Sequence, residues 1–404
     1  PALQEFLKVL MLAEADPPLG AGPDGALFLA RVDKLLDLGA LEPAQSLIEQ
    51  AEPDTPPLFR RWFDVALLTG TEDHACEAMR DTPSIAPTYP ARIFCLARNG
   101  DWAAAALTLN THRVLGDITA QEDALLARFL DPELFEGEPA LPPPGRVSPL
   151  TFRMHEAIGE PLITGNLPLA FSHANLRSTT AWKSQLEAAE RLARHGAVSE
   201  NVLMKHYTAR TPAASGGIWD RAEAVQRFDV AITARDPVSV SRNLPAAWAA
   251  MESARAEIQF AKFYADALQD LPLSGAVAVI AFEVGLLSPN YESVAMKATQ
   301  TQADFDPFLI AIARGTPQNA PALTPQARAI QAAFDSTTAP EDLQAMVAEG
   351  KLGEALLRAL ALFDAGADGD LRSVTDALSL LRAVGLEDVA RRASLQLMIL
   401  DRAT

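Results

Sequence analysis

The feature that most constrains this chain of 404 residues is a glycine that recurs after apolar segments and is followed, five positions later, by an alanine. The glycines are Gly39, Gly70, Gly100, Gly350 and Gly385, and the alanines are Ala44, Ala75, Ala105, Ala355 and Ala390. Spacings of 31 residues (39 to 70), 30 residues (70 to 100) and 35 residues (350 to 385) are typical of arrays with two helices per repeat. Glycine turns tightly between two helices at low strain, and alanine lets the second helix pack closely on the first. The spacing therefore predicts repeated helical hairpins.

Helical periodicity dominates the rest of the chain. Phe28, Val32 and Leu35 follow the i, i+3/i+4 spacing of one apolar helix face, and Asp24 stands where it would cap that helix. Similar short segments recur along the chain and often end near glycine or proline, which terminate helices. Runs of β-branched residues, which would indicate strands, are scarce. We predict an all-α fold.

One turn has a more specific pattern. The segment Gly100-Asp101-Trp102-Ala103-Ala104-Ala105 is similar to the Gly-Asp-aromatic-x-x-Ala turn of tetratricopeptide repeats, and Tyr89 stands where that family often has an aromatic residue. The pattern covers residues 25–115 and 335–400, and it departs from the family at Ile93, where a small residue is expected. The chain also resembles the superhelical domain of soluble lytic transglycosylases, without their catalytic domain. Both resemblances imply an α-solenoid of stacked antiparallel helix pairs in a curved superhelix.

Proline-rich and irregular stretches indicate how the chain is divided. Three consecutive prolines, Pro142 to Pro144, favour an extended segment. We therefore predict N-terminal helical repeats over residues 1–130 and an irregular connection with a short helix over 131–177. A central irregular helical region would follow over 178–320, and C-terminal repeats over 321–404. We expect one continuous array rather than independent domains.

The charge balance narrows the range of partners. Asp and Glu number 52 against 34 Lys and Arg, so the formal net charge is −18. Binding to nucleic acid or to an anionic membrane needs clustered cations, which this composition disfavours. The most apolar run, residues 273–287, is too short for a membrane helix and predicts a buried one. We expect a protein partner.

The two cysteines, Cys76 and Cys95, bear on the compartment. In the repeat frame, Cys76 begins the second helix of one hairpin and Cys95 lies in the first helix of the next. Neighbouring helices pack closely enough for a disulfide, although two buried thiols fit the pattern as well. A disulfide would indicate an oxidising compartment, which in a bacterium is the periplasm. Because the chain begins at Pro1 rather than Met, we expect that a signal peptide has been removed.

Signals for catalysis or metal binding are weak. His155-Glu156 begins a zinc-protease-like string, but Gly159 stands where the second histidine belongs. The sequence has no nucleophile elbow, no phosphate-binding loop and no CxxC pair. Glu292-Ser293 is similar to the Glu-Ser pair of lytic transglycosylases, but the surrounding residues do not follow that motif. We expect no catalytic residue, no metal and no cofactor.

The tetratricopeptide resemblance implies that the first helix of each hairpin, helix A, lines the concave face. Carried onto this chain, it places six residues on or near that face: Asp33, Asp37, Arg60, Asp64, Phe94 and Arg98. Charge mixed with an aromatic ring suits the binding of a peptide or protein segment. The alternative is an ordinary solvated rim. We place Trp62 and Trp102 in the core.

These observations favour a non-enzymatic helical-repeat scaffold that binds a protein partner. We expect it in the bacterial periplasm, as an accessory of the envelope or of a motility or secretion machine. A second hypothesis is a peptidoglycan-associated factor related to the transglycosylase superhelical domains. A third is a cytoplasmic adaptor, in which both cysteines would stay reduced.

Overall fold

The described part of the chain is all-α, as predicted. The computed structural model describes residues 1–15, 17–18, 20–22, 25–298, 304–336, 338–367 and 369–400, and within these ranges it contains helices and no strand. Asp24, the expected helix cap, lies outside the described residues. Five short 3₁₀ segments join the α-helices: Pro83–Ile85, Pro132–Phe135, Thr164–Asn166, Leu169–Leu176 and Pro317–Asn319.

The helices are short and follow one another closely. In chain order they are α1 (Ala2–Leu12), α2 (Ala26–Asp37), α3 (Leu41–Gln50), α4 (Pro56–Thr69), α5 (Glu72–Asp81), α6 (Tyr89–Arg98), α7 (Trp102–Leu115), α8 (Ala120–Leu130), α9 (Pro149–Ala157), α10 (Trp182–Arg194), α11 (Glu200–Thr208), α12 (Ile218–Thr233), α13 (Pro237–Ala254), α14 (Glu257–Gln269), α15 (Ala276–Leu286), α16 (Tyr291–Lys297), α17 (Pro307–Ala313), α18 (Pro325–Asp335), α19 (Glu341–Ala348), α20 (Leu352–Ala367), α21 (Leu371–Ala383) and α22 (Glu387–Leu400).

The chain forms two compact units. One is Met11–Leu192, and the other combines Pro1–Leu10 with Ala193–Thr404. In the first unit, every helix from α2 to α8 packs against the helix that follows it. In the second unit the same holds from α11 to α16, but α17 then packs against α22, and α18 packs against α21. Packing between consecutive helices fits the predicted hairpins, and the C-terminal part adds contacts between helices distant in sequence.

The predicted glycine turns are present at all five positions. Each glycine has a positive φ, between 68° and 86°, which a residue without a side chain adopts at little cost. The N–H of the residue after each glycine donates to the carbonyl five residues earlier, which closes the end of the preceding helix. These bonds are Ala40 to Leu35, Thr71 to Ala66, Asp101 to Leu96, Lys351 to Met346 and Leu386 to Leu381. Each turn thereby ends one helix and directs the chain into the next.

The alanines five residues after these glycines are buried completely. Ala44, Ala75, Ala105, Ala355 and Ala390 are each 0% exposed. A methyl group fills these positions, and a longer side chain would have to displace a close-packed neighbour. Glycine and alanine therefore act together: one sets the turn, and the other sets how near the second helix lies.

The central region uses the same turn without glycine. Arg235 (φ 51°) ends α12 and Arg255 (φ 55°) ends α13, and the next residues, Asp236 and Ala256, donate to the carbonyls five residues back. The positions five residues after the arginines, Val240 and Phe260, are again 0% exposed. Hairpins therefore continue through α12, α13 and α14, although the glycine signal is missing there.

Residues 131–177 pack as part of the first unit. Helix α9 and the 3₁₀ segment Leu169–Leu176 both lie against α4. Phe152 and Phe171 meet edge to face, with ring centroids 5.5 Å apart, in a core cluster with Leu68. The His173 ring nitrogen lies 2.7 Å from the Gly39 carbonyl oxygen at the first hairpin turn. Residues 131–177, which the prolines set apart in the sequence, are therefore packed into the first unit.

Substitutions at two neighbouring glycines, Gly350 in a turn and Gly353 in a helix, can test whether the turn requires a positive φ. Gly350 has φ 78°, Gly353 lies in α20, and a methyl group added to either would have no other atom within 4 Å. Gly350→Ala should lower the free energy of unfolding by about 1–2 kcal/mol, because only the left-handed backbone resists the change. Gly353→Ala should leave it unchanged or raise it by up to about 1 kcal/mol. Urea unfolding followed by circular dichroism measures both, and equal stability of the two variants would contradict the turn.

Candidate functional site

A disulfide joins the second hairpin to the third. Cys76 on α5 and Cys95 on α6 are bonded, with Cα atoms 4.9 Å apart, and the two residues are 0% and 2% exposed. Both belong to a core cluster with Phe59 and Phe63 from α4. The bond therefore crosses the junction between consecutive hairpins inside the core.

Helices α2 and α4 carry four of the six predicted surface residues. Asp33 and Asp37 are exposed on α2. Arg61 of α4 binds both carboxylate oxygens of Asp33, with Nε–Oδ1 and Nη2–Oδ2 distances of 2.6 Å. Arg60, beside it, is exposed. Sequence reasoning missed Arg61, because its role depends on a partner 28 residues away on the neighbouring helix.

Asp64 is the unusual carboxylate of this surface. Its side chain is 27% exposed, and its nearest cationic partner is Arg60, at 4.0 Å. Burial raises the pKa of Asp64 to about 6, and the attraction of Arg60 and Arg61 offsets this only in part. The charge on this helix-A residue therefore changes near neutral pH, where an exposed aspartate would stay ionised.

Phe94 does not lie on the surface, contrary to the sequence expectation. It is 1% exposed, and its ring packs against Phe63 (centroids 6.4 Å apart) and Phe129 (5.4 Å). Helix α6 lies between α5, α7 and α8, so most of its circumference is covered. Trp102 differs in the opposite sense: it was expected in the core and is 51% exposed. Trp62 is half-buried.

Arg98, the sixth predicted residue, belongs to a chain of charges that leads into the interior. It binds the exposed Asp73, and its Nη2 lies 3.6 Å from Oε1 of Glu72, which is 0% exposed. Arg153 of α9 donates to the same Glu72 oxygen at 3.0 Å. Glu156 then binds both Arg153 and Arg177. The charged groups thus tie α5, α6 and α9 together.

Opposite charges within this network favour the ionised forms of Arg153 and Glu156. Burial opposes the charge on Arg153, but Glu72 and Glu156 outweigh it and raise the pKa of this guanidinium. Burial likewise opposes the charge on Glu156, whereas the hydrogen bonds from Arg177 and Arg153 lower its pKa below the usual value. A buried ion pair of this kind is costly to break, because the partner left behind stays charged and desolvated.

The residues considered for catalysis or metal binding have the following surroundings. His155 is 4% exposed, and Glu156 is held by Arg153 and Arg177. Glu292 is 61% exposed on α16 and pairs with Arg391 of α22. Within the described ranges, no three His, Cys, Asp or Glu side chains are arranged to hold a metal ion.

Two further findings bear on the class of protein. Among the helices in the described part of the chain, none combines the length and the apolar character needed to cross a membrane. No protein-family model matches the chain, and neither the curated proteins nor the solved structures contain a significant match to it.

The pKa of Asp64 predicts a pH-dependent stability. Native Asp64 keeps its proton to about pH 6, whereas the unfolded chain loses it near pH 4. The native state therefore binds more protons between these values, and stability falls as the pH rises through this window. Asp64→Asn should raise the free energy of unfolding by about 1–2 kcal/mol at pH 8 and have little effect at pH 4.

Urea unfolding at both pH values measures this effect. Asp37→Asn is the matched control, because it removes an exposed carboxylate from the same surface and should change stability little at either pH. An Asp64→Asn gain that is equal at pH 4 and pH 8 would contradict a carboxylate destabilised by burial.

The disulfide between Cys76 and Cys95 should also make a measurable contribution to stability. The bonded cysteines are 19 residues apart, and closing a loop of that size stabilises the folded state by about 3 kcal/mol. Replacing both cysteines (Cys76→Ala with Cys95→Ala) should lower the free energy of unfolding by about that amount and make it insensitive to reductant. The unfolded wild-type chain should show no free thiol before reduction and two afterwards. Two thiols before reduction would show that the bond is absent.

Proposed function

We propose that this chain is a non-enzymatic helical-repeat scaffold that binds a protein partner in the bacterial periplasm. The observation that carries the proposal is the repeated hairpin, in which a left-handed turn and a buried small residue recur with the same spacing. Hairpins stacked in this way form a solenoid, and they offer extended surfaces for binding other proteins. The proposal includes the tetratricopeptide-like arrangement and a role as an accessory of an envelope, motility or secretion machine.

The binding surface we propose is formed by helix A of the first three hairpins, α2, α4 and α6. Asp33, Asp37, Arg60 and Arg98 are exposed there, and Asp64 is half-buried. Charges of both signs favour a partner segment that carries both, because electrostatic complementarity sets register and excludes other partners. Phe94 has no part in this surface, since it is buried.

The disulfide supports the choice of compartment. Disulfides persist in oxidising compartments and are rare where thiols are kept reduced. Both cysteines are buried and bonded to each other, which indicates a structural role rather than a redox-active one. An accessory protein of the bacterial envelope meets this condition, whereas a cytoplasmic adaptor would not.

Affinity capture tests the proposal directly. The immobilised protein should retain a protein from the periplasmic extract of the cells that make it. Asp37→Lys with Arg60→Glu reverses two exposed charges of the helix-A surface, and it should weaken retention at least about tenfold. The matched control reverses an exposed pair on α20, Glu354→Lys with Arg358→Glu, and should retain the partner fully.

The outcomes separate the hypotheses. Equal loss of the partner in both double variants would place the binding surface elsewhere. Recovery of the chain in the cytoplasmic fraction with two free thiols would contradict the periplasmic assignment. Co-purification of a small molecule in place of a protein would refute the scaffold.

A further inference from the structure

Helices α14, α15 and α16 border a cavity of about 200 Å³ within the second unit. Its walls come from the end of α14, the loop that follows, α15, α16 and Phe305. Among the described residues that line it, Gln269 and Lys297 are polar, and the others are apolar. We call this space the α15 cavity. Ligand sites commonly combine mostly apolar walls with a few polar groups in this way.

Small residues on one face of α15 leave this space unfilled. At Gly285 the helix lies so close to its neighbours that an added methyl group would stand 2.7 Å from Gln269 Nε2 and 2.9 Å from the Val294 side chain. Ala281 and Ala278 lie one and two turns earlier on the same face, and both line the cavity. The close contact at Gly285 therefore fixes the position of α15, whereas the two alanines are too short to fill the space beside them.

The size and the walls of the cavity limit what it can hold. The Phe282 and Phe305 rings are stacked, with centroids 4.1 Å apart, and both line the cavity. An apolar protein cavity of roughly 150 Å³ binds benzene. The α15 cavity is therefore large enough for a benzene-sized ring or a branched alkyl group with a short polar end.

The two polar groups of the cavity are free to bind a ligand. Lys297 is exposed, and no described residue pairs with its ammonium group. Gln269 Nε2 donates to the Ala281 carbonyl at 3.4 Å, which is longer than an ordinary hydrogen bond, and no described residue donates to its Oε1. Asp270 and Asp304 adjoin lining residues in the sequence, but they are exposed and do not line the cavity. The charge of the lining therefore favours an anionic ligand group.

We propose that the α15 cavity binds a small apolar group that ends in a carboxylate. The apolar group fills the space beside Phe282 and the two alanines, and the carboxylate accepts hydrogen bonds from Lys297 Nζ and Gln269 Nε2. A hydrogen bond between an ammonium group and a carboxylate is stronger than one between neutral groups, so the charge decides the ligand class. A free arylalkanoic acid presents this chemistry, and so does the C-terminal residue of a peptide. The inference does not depend on the proposed scaffold function, because the helix-A surface belongs to the first unit.

Titration with 3-phenylpropionate, followed by saturation-transfer NMR, tests the ligand class. This acid should bind with a Kd of about 1 mM or below. The amide 3-phenylpropanamide has the same ring and no charge, and it should bind at least about tenfold more weakly. Lys297→Gln should remove this difference, so that the acid and the amide bind alike. Lys205→Gln is the control, because Lys205 is an exposed lysine on α11 outside the cavity, and it should preserve the difference.

A substitution that fills the cavity tests where the acid binds. Ala278 is half-buried and lines the cavity, so the longer side chain of Ala278→Leu would occupy the ligand's space. This variant should bind 3-phenylpropionate at least about tenfold more weakly. Ala276→Leu is the control on the same helix, because Ala276 is exposed and lies outside the cavity, so the Kd should not change. Circular dichroism would verify that both variants stay folded.

A short peptide distinguishes the two sources of the carboxylate. A tripeptide of two glycines and a C-terminal phenylalanine with a free carboxylate should displace 3-phenylpropionate if the cavity receives a chain end, whereas its exclusion would assign the cavity to free acids. Both results agree with the ligand class. Three results would overturn the inference: no binding of the acid at about 10 mM, equal binding of the acid and the amide by the wild-type chain, or undiminished binding by Ala278→Leu.

Discussion

The rest of this fold depends on one local constraint. A residue with a positive φ ends a helix, and a buried small or apolar side chain follows five positions later. The turn leaves the next N–H to close the finished helix, and the chain re-enters a helix within two or three residues. Because the second helix starts two residues after the turn, the residue five positions after the turn is buried at the fourth position of that helix. Ala44, Ala105 and Ala355 are methyl-sized for this reason, whereas Phe260 shows that a larger side chain fits where the neighbours leave room.

The junctions between hairpins need other stabilising contacts, because the turn fixes only the two helices that it joins. In the first unit a disulfide and an ionic network supply them. Cys76 and Cys95 link α5 to α6 covalently, and Glu72 at the start of α5 binds Arg98 of α6 and Arg153 of α9. Removing either arginine would leave the buried Glu72 carboxylate with a single cationic partner, so breaking this network costs folding free energy. The result is that α5, α6 and α9 are held together by covalent and ionic contacts.

Sequence reasoning found the parts of this fold that local residues determine. Gly39 and Gly385 mark turns because glycine alone adopts positive φ freely, so the backbone requirement is visible in the residue type. Arg235 and Arg255 adopt the same φ, and no local signal distinguishes them from other arginines. For the candidate surface, too, some residues could be placed from the sequence and others could not. The tetratricopeptide resemblance indicated the exposed charges on α2 and α4, whereas it misplaced Phe94, because α5, α7 and α8 cover α6. One of the two arginine partners of Glu72, Arg153, lies 81 residues away, beyond any pattern of spacing.

The two faces of α7 differ in what they contribute to folding. The buried face packs in the core, whereas the packing does not determine the residues on the exposed face. Ala105 and Leu109 satisfy the core, so nothing in the packing of the hairpin calls for Leu107 or Val114 on the opposite side. The exposed side of α20, by contrast, carries Glu354 and Arg358. An acidic chain that keeps one helix face free of charge over several turns reduces its own solubility at that face.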